Sequence, residues 1–410
     1  MALTFDYKVR DKGGKLVEGQ LEGDSLSLVV GKLREMGYLP IAVTPKSKAD
    51  LNREIRIPGL TDRVKLAETA VATRQLATMV ESGLSVVRAL GILSGQVENK
   101  QLSKVLGEVQ LDVERGSSLS GACAKHPKVF STLFITMVQA GEAGGHLDTV
   151  LLDLSSTMEK QAELQRKIKG AMTYPAVVVS VMIVILLALL IFIVPTFQKL
   201  FSSLGAKLPT PTRIVIRASD TVASPWAFLL VAILVVGVIL FRRWIKTDVG
   251  RQKWDAFKLR PPVFGSLIHK VALARFSHTL SSLVQAGVPI LESLDIVSET
   301  AGNRIVGDAI LDAKSGVREG RSLAETLRQH DEIIPALVTQ MVEVGEQTGQ
   351  LDHMLKKVGL FYDGEVESTV NNLTQLLEPI LVVVMGIMVG TMVISMYLPM
   401  FDYVKHIPTS

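Results

Sequence analysis

The chain combines long stretches of helical amphipathic pattern with three uninterrupted apolar segments. These segments are Pro175–Pro195, Pro225–Phe241 and Pro379–Pro399. None of them contains Asp, Glu, Lys, Arg or His. Because the hydrocarbon core of a bilayer is about 30 Å thick, about 20 helical residues are needed to cross it. With a few flanking residues added to each, the pattern predicts three transmembrane helices, at 171–198, 222–243 and 375–400.

The first 50 residues follow a different pattern from the rest of the chain. Apolar and polar residues alternate from Phe5 to Val9, and the alternation resumes at Leu16 after a pair of glycines. This pattern is typical of a β-hairpin. A helical stretch and a last short strand follow, so we predict a small α/β module at 1–50. The polar, breaker-rich stretch 51–62 is predicted to be its linker.

The rest of the chain is an internal duplication. Shifted by 204 residues, the sequence matches itself: Gly-Glu-x-x-Gly-x-Leu-Asp occurs at 141–148 and again at 345–352. Apolar residues recur three and four positions apart in both copies, and glycine-containing turns separate the stretches. We therefore predict a mainly α membrane protein with two repeated bundles of about six helices, at 63–170 and 244–374. The second apolar segment has no counterpart and is interpreted as a return crossing.

The distribution of basic residues predicts the orientation in the membrane. Basic side chains precede the first span and follow the second, namely Arg166, Lys167, Lys169, Arg242, Arg243, Lys246, Arg251 and Lys253. Since positively charged flanks stay in the cytoplasm, both helical repeats and the N-terminus are expected there. The loop 199–221 and the tail 401–410 are then extracytoplasmic.

Composition and missing motifs exclude several functions. A net charge of +4 on 410 residues gives no reason to expect a nucleic-acid surface. The single cysteine, Cys123, cannot form an internal disulfide and is interpreted as a small buried thiol. No phosphate-binding loop, nucleophile elbow or zinc-ligand spacing is present, so we expect neither an enzyme nor a cofactor. Uncharged spans disfavour an ion-coupled or small-solute transporter, which remains a remote alternative.

The two acidic turns, 141–148 and 345–352, allow two interpretations. In the structural one, a helix ends at Ala140 or Val344, and the glycine that follows supplies a left-handed cap before the next helix begins. In the functional one, carboxylates bind a divalent cation or a basic partner. The candidates are Glu142, Asp148, Glu346 and Asp352. A hard cation needs six to eight oxygens, more than one turn supplies, so the structural interpretation is favoured.

The third apolar segment contains a Gly-x-x-x-Gly motif at Gly386 and Gly390. Such spacing lets a second transmembrane helix approach closely. A homodimer or higher oligomer is therefore plausible through this face, although glycine is common in membrane helices.

These features resemble the inner-membrane platform proteins of type II secretion and type IV pilus machineries. The resemblance rests on residues 73–83, on the two acidic turns, and on Tyr174-Pro175 set against Glu378-Pro379. It covers nearly the whole chain. It implies a non-enzymatic adaptor in the bacterial inner membrane that meets a hexameric assembly ATPase, pilin or pseudopilin subunits and other inner-membrane assembly proteins.

The resemblance implies that the cytoplasmic surfaces of both repeats contact the ATPase. Charged residues on those repeats are the candidates for the contact, namely Arg74, Glu81, Arg115, Glu142, Asp148, Arg318, Glu346 and Asp352. For each of them, a solvated charge or a pair within the domain is the competing interpretation. Pilus assembly is favoured on overall likeness, and protein secretion remains the alternative.

Overall fold

The structure is a computed structural model that describes residues 3–10, 16–23, 26–45, 63–203 and 209–405. It is mainly helical and divides into two compact units, Met1–Arg63 and Val64–Ser410. The linker predicted at 51–62, the glycine pair of the hairpin turn and the last five residues lie outside the described residues.

The first unit is a three-stranded antiparallel sheet with one helix. Its elements are β1 (Leu3–Arg10), β2 (Leu16–Gly23), α1 (Leu26–Glu35) and β3 (Leu39–Pro45), and the strand order is β2-β1-β3. Val29 and Leu33 of α1 are buried together with Val9 of β1, which holds the helix on the sheet. Gly37 has a positive φ of 84° in the turn after α1, a conformation that glycine adopts without strain.

The second unit contains two repeats of six helices each. The first repeat consists of α2 (Leu66–Glu81), α3 (Val86–Gln96), α4 (Lys100–Glu114), α5 (Leu119–Ala124), α6 (Thr132–Gly144) and α7 (Leu147–Ala188). The second repeat comes after a segment whose helices are given below. It consists of α12 (Pro262–Gln285), α13 (Ile290–Thr300), α14 (Arg304–Arg318), α15 (Leu323–Arg328), α16 (Ala336–Thr348) and α17 (Leu351–Lys405).

The helix boundaries reproduce the duplication seen in the sequence. From α3 to α6, every helix begins and ends 204 residues before its counterpart from α13 to α16. The first helices differ, because α12 begins at Pro262 and is therefore eight residues longer than α2 at its N-terminal end. The two repeats share one continuous hydrophobic core that includes Leu90 and Phe134 of the first and Leu280 and Val342 of the second.

Helices α7 and α17 run without a break from the helical repeats into apolar sequence. After α7 comes a π-helical turn (Leu189–Ile193) and then α8 (Val194–Ser203). Residues 147–203 and 351–399 are both long and apolar enough to cross a membrane. The spans predicted at 171–198 and 375–400 are therefore not separate helices but continuations of the last helix of each repeat.

The segment between the first apolar segment and the second repeat is also largely helical. It contains α9 (Thr210–Ala223), α10 (Trp226–Ile245) and α11 (Asp248–Leu259). The prediction of a loop at 199–221 was wrong for residues 199–203, which belong to α8, and for residues 210–221, which belong to α9. That segment forms an amphipathic helix because its apolar side chains, such as Val215 and Ile216, pack against Leu190, Val194 and Met392 of the long helices.

Candidate functional site

Each acidic turn begins inside a helix and not after one. Helix α6 continues past Gly141 and ends at Gly145, which has the left-handed φ of 72°. Gly141 lies against the start of α7, where a Cβ would come within 3.2 Å of the Leu147 Cα and 3.1 Å of Val150. The predicted helix end at Ala140 was therefore one turn too early, because the first glycine of the motif serves close packing and the second serves the cap.

The same correction applies to the second repeat. Helix α16 ends at Gly349, with a φ of 69°, and not after Val344. A Cβ on Gly345 would lie 2.8 Å from the Leu351 Cα. The two glycines of the motif therefore have the same two roles in both repeats.

Glu142 caps the short helix α5 of its own repeat. Its Oε1 accepts a hydrogen bond from the Leu119 N–H at 2.5 Å, and its Oε2 accepts from the Ser120 N–H at 3.2 Å and the Ser120 hydroxyl at 2.5 Å. The Ser118 hydroxyl accepts from the next amide, that of Gly121. The first three amides of α5 would otherwise lack acceptors, and the carboxylate charge also suits the positive end of the helix.

Glu346 makes the equivalent contacts in the second repeat. Its two carboxylate oxygens accept from the Leu323 N–H at 2.7 Å and the Ala324 N–H at 3.0 Å. Ser322 accepts from the amide of Glu325, as Ser118 does from Gly121. Both glutamates of the acidic turns are thus engaged by the backbone of helices α5 and α15.

The aspartates of the acidic turns lie elsewhere. Asp148 and Asp352 are half-buried in the first turns of α7 and α17, where a negative charge is favourable. Within the described ranges, no three His, Cys, Asp or Glu side chains come together as ligands for a metal ion.

Arg74 is paired within its repeat. Its Nε and Nη2 donate to the two carboxylate oxygens of Glu159 on α7, at 2.9 and 2.7 Å. The hydrogen bond to Glu159 raises the pKa of Arg74, and the same bond lowers the pKa of Glu159. Because both side chains are more than a third exposed, water weakens the pair, which is worth roughly 0.2–1 kcal/mol.

The second repeat keeps this pair with different chemistry. His278 Nε2 lies 2.8 Å from Asp363 Oδ2, and both residues are 204 positions after their counterparts, Arg74 and Glu159. The imidazole lies over Gly359, where a Cβ would come within 2.6 Å of its Cε1. Arginine stays charged at all physiological pH values, whereas the charge of a histidine depends on pH.

The remaining charged candidates lie on the surface. Glu81, Arg115 and Arg318 are exposed at the C-terminal ends of α2, α4 and α14. Among the described residues, no hydrogen bond or salt bridge engages their side chains.

Polar side chains join the two repeats at the centre of the unit. The hydroxyls of Thr157 on α7 and Ser282 on α12 lie 2.8 Å apart and are buried. Gln285 Nε2 donates to Asp153 Oδ2 at 2.8 Å, and burial raises the pKa of Asp153. A polar cavity of about 30 Å³ lies beside these contacts. Its lining residues are Asp153, Ser156, Thr157, Lys160, His278, Ser281, Ser282, Gln285 and Lys356.

A larger open groove runs between the repeats. It has a volume of about 460 Å³ and lies between α6 and the turn that joins α12 to α13. His146 and Glu292 bring ionisable groups to its two sides. It is therefore a surface to which both repeats contribute.

The glycines of the third apolar segment are uncovered. A Cβ on Gly386 or Gly390 would meet no atom within 4 Å in the described part of the chain. At these two positions, the described residues therefore leave the face of α17 open to a second helix.

The sequence did not reveal which residues would pair with the candidates. Glu159 and Asp363 lie 85 residues from their partners, and no local pattern marks them. The 204-residue period was the available signal for these pairs. It relates Arg74 to His278 and Glu159 to Asp363, so a pair found in one repeat indicates where to look in the other.

Comparisons with known proteins agree with the duplication. The model of the family described as type II secretion system (T2SS), protein F, matches residues 72–195 and 276–399, two ranges offset by 204. The model of that family's N-terminal domain matches residues 1–44.

Curated relatives extend over nearly the whole chain. A type IV pilus assembly protein PilC from Thermus thermophilus is 41% identical over 98% of both chains. A PilC from Myxococcus xanthus is 40% identical over 97% of this chain and 94% of its own. A type II secretion system protein F from Aeromonas hydrophila is 35% identical over 93% of this chain and 98% of its own. The chain therefore belongs to the type II secretion system protein F family.

Proposed function

We propose that this protein is the inner-membrane platform of a type IV pilus assembly machine. It couples a cytoplasmic hexameric ATPase to the extrusion of pilin subunits and catalyses no reaction itself. The observation that carries the proposal is the continuity of α7 and α17, which join each helical repeat directly to an apolar segment. The relatives named as pilus assembly proteins, 40% and 41% identical, support the choice of machine.

The proposed arrangement has three crossings. Residues 147–203 and 351–399 supply the first and third, and α10, an apolar helix of 20 residues, supplies the return. Arg242 and Arg243, at the end of α10, favour a cytoplasmic location for that end. Both repeats and the N-terminus then lie in the cytoplasm, and the C-terminal tail lies outside.

The geometry narrows the proposed ATPase contact. Arg74, Glu142 and Glu346 are engaged inside their own repeats, so their side chains are less available to a partner. The exposed charges of Glu81, Arg115 and Arg318 are the better candidates. The groove between α6 and the α12–α13 turn adds a surface that changes shape if the repeats move relative to each other.

The uncovered glycine face suggests how the platform self-associates. Gly386 and Gly390 present a stripe without side chains on an apolar helix, which favours close packing with a second copy. Pilin subunits and other inner-membrane assembly proteins are the other partners proposed for the membrane region.

A platform of a type II protein secretion system is the second candidate. The name of the family and the relative at 35% identity favour it. Deletion of the gene, with complementation by the full chain, separates the two functions. The pilus proposal predicts loss of surface pili with normal protein export, whereas loss of export with normal pili would establish the alternative. Normal pili and normal export together would contradict both.

A further inference from the structure

Proline removes a backbone donor near the C-terminal end of the first long apolar helix. In the π-helical turn, the Val194 N–H donates to the Leu189 carbonyl, five residues back, and not to Leu190. The next donor for the Leu190 carbonyl in that register is residue 195, a proline without an N–H. The Leu190 carbonyl is therefore left without a helical partner.

The same loss occurs in the third apolar segment. Pro399 lies inside α17, so the Ser395 carbonyl, four residues before it, lacks its usual donor. Pro195 and Pro399 correspond to each other at the 204-residue offset. An apolar environment offers no water to either free carbonyl, so each needs a donor from elsewhere in the protein.

Helix α9 supplies both donors. The Thr212 hydroxyl donates to the Ser395 carbonyl, and the Ser219 hydroxyl donates to the Leu190 carbonyl, each at 2.5 Å. Thr212 and Ser219 are seven residues apart, which places them on the same face of a helix. Their exposed fractions are 4% and 0%.

These two contacts are not the default behaviour of hydroxyls in a helix. Serine and threonine in helices often bond the carbonyl four residues back in their own helix. Thr221 of α9 does so, donating to the Arg217 carbonyl at 2.7 Å. Between the two bridging hydroxyls, Ile216 packs against Leu190, Val194 and Met392, so the whole face is fitted to the two long helices.

We propose that α9 is a strap that holds the C-terminal ends of the two proline-weakened helices together. Each end of the strap satisfies the carbonyl that one proline leaves free. The two long helices, which carry different helical repeats at their other ends, are thereby kept at a fixed separation. Both contacts of the strap are made to backbone carbonyls of the long helices. The proposal therefore does not require that the cytoplasmic partner be known.

Hydrogen–deuterium exchange of the full-length protein in lipid nanodiscs tests the strap. Thr212→Val and Ser219→Ala should each increase amide exchange across residues 210–223 by about tenfold, the factor expected for one lost hydrogen bond. Thr221→Val is the matched control and should have no such effect. Thr212→Ser, which keeps a hydroxyl, should exchange like the parent.

Replacing the prolines makes the test specific. Pro399→Ala restores an N–H for the Ser395 carbonyl, so Thr212→Val should cost little in that background, while Ser219→Ala should still increase exchange. Likewise, in the Pro195→Ala background Ser219→Ala should add little to the exchange of α9, while Thr212→Val should still increase it. Parental exchange rates in both single variants, or an equal effect of each hydroxyl substitution with and without its matching proline substitution, would overturn the proposal.

Discussion

At the scale of single residues, two glutamates of the repeated motif act on helices that precede them in the chain. Glu142 and Glu346 each accept two backbone N–H groups at the start of a six-residue helix. A helix this short is not stable by itself in water, because its nucleation cost is not repaid by its few hydrogen bonds. The carboxylates therefore stabilise the short helix that connects α4 to α6 in one repeat and α14 to α16 in the other.

Removing one of these charges should loosen the capped helix. In Glu142→Gln, the side-chain oxygen can still accept one of the two backbone N–H groups. The side-chain nitrogen is a donor, so the other N–H group loses its acceptor. We expect helix α5 to lose about 1–2 kcal/mol, the range of a charged helix cap, and its amides to exchange about tenfold faster. Asp148→Asn is the control, since Asp148 makes no hydrogen bond to α5 among the described residues. Unchanged exchange in α5 of Glu142→Gln would contradict the capping role.

The single thiol should be unreactive in the folded protein. Cys123 is buried, and that burial, followed by the charge of Glu142, raises the pKa of the thiol to about 12. The reactive thiolate is therefore scarce below that pH. Between pH 7 and 9, maleimide labelling of the native protein should be slow, and denaturant should accelerate it strongly. Fast labelling of the native protein would show that the thiol is accessible.

The raised thiol pKa also predicts a direction for stability. An unfolded cysteine ionises at an ordinary pKa near 8.5, whereas the folded thiol resists ionisation. The contribution of Cys123 to stability is thus complete below the unfolded pKa and is lost as the pH rises toward about 12.

Residue types could be predicted from the sequence better than their partners could. Burial of Cys123 followed from its chemistry and was confirmed. The acceptor role of Glu142 was not predicted, because its donors lie 22 and 23 residues earlier and depend on how α5 packs against α6. For Arg74, the sequence left open a contact with a partner protein, a solvated charge or a pair within the domain. Its pairing with Glu159 depends on the packing of α2 on α7.

At the scale of elements, helices α7 and α17 connect the repeats mechanically to the apolar segments. Helix α7 is continuous over 42 residues, and helix α17 is continuous over 55 residues. Near the end of the repeats they contact each other, and Lys167 Nζ donates to Glu367 at 3.0 Å. A continuous helix transmits rotation or displacement along its axis, whereas a flexible joint would absorb it.

Breaking that continuity should uncouple the two parts. Two glycines inserted after Gly170 would weaken the helix by about 2 kcal/mol and shift everything beyond them by about 200° around the axis. We expect a folded, membrane-inserted protein that no longer supports pilus assembly in a deletion strain. The same insertion after Gly116, in an exposed turn, should be tolerated. Normal piliation with the first insertion would show that α7 need not be continuous.

Helices and strands were predictable from the sequence where the apolar pattern extended over many residues. They were less predictable close to proline residues. The six helices per repeat and the antiparallel pairing of β1 with β2 agree with the pattern. Helix α9 was missed because Pro209 and Pro211 at its start resemble loop sequence. Only its position against the long helices reveals that Thr212, Ile216 and Ser219 share one buried face.

At the scale of the whole molecule, one fold is used twice with different surfaces. The two repeats share the boundaries of four helices, from α3 to α6 and from α13 to α16, and the glutamate caps of α5 and α15. Each also has a side-chain pair whose members lie 85 residues apart, but one pair is Arg74–Glu159 and the other His278–Asp363. The two repeats also share one hydrophobic core, so a displacement of one repeat is expected to displace the other. Duplication was evident from the sequence, whereas the common core could not be predicted because no local pattern specifies how two bundles pack.

The central claim is that this protein connects an assembly ATPase to the membrane, and co-purification tests it most directly. Full-length protein should retain the pilus assembly ATPase encoded by the same organism. Charge reversal at exposed positions, Glu81→Lys with Arg115→Glu and Arg318→Glu, should reduce the retained ATPase, and Lys100→Glu at another exposed position should not. Failure of the full-length protein to retain the ATPase, with normal pili after deletion of its gene, would contradict the account.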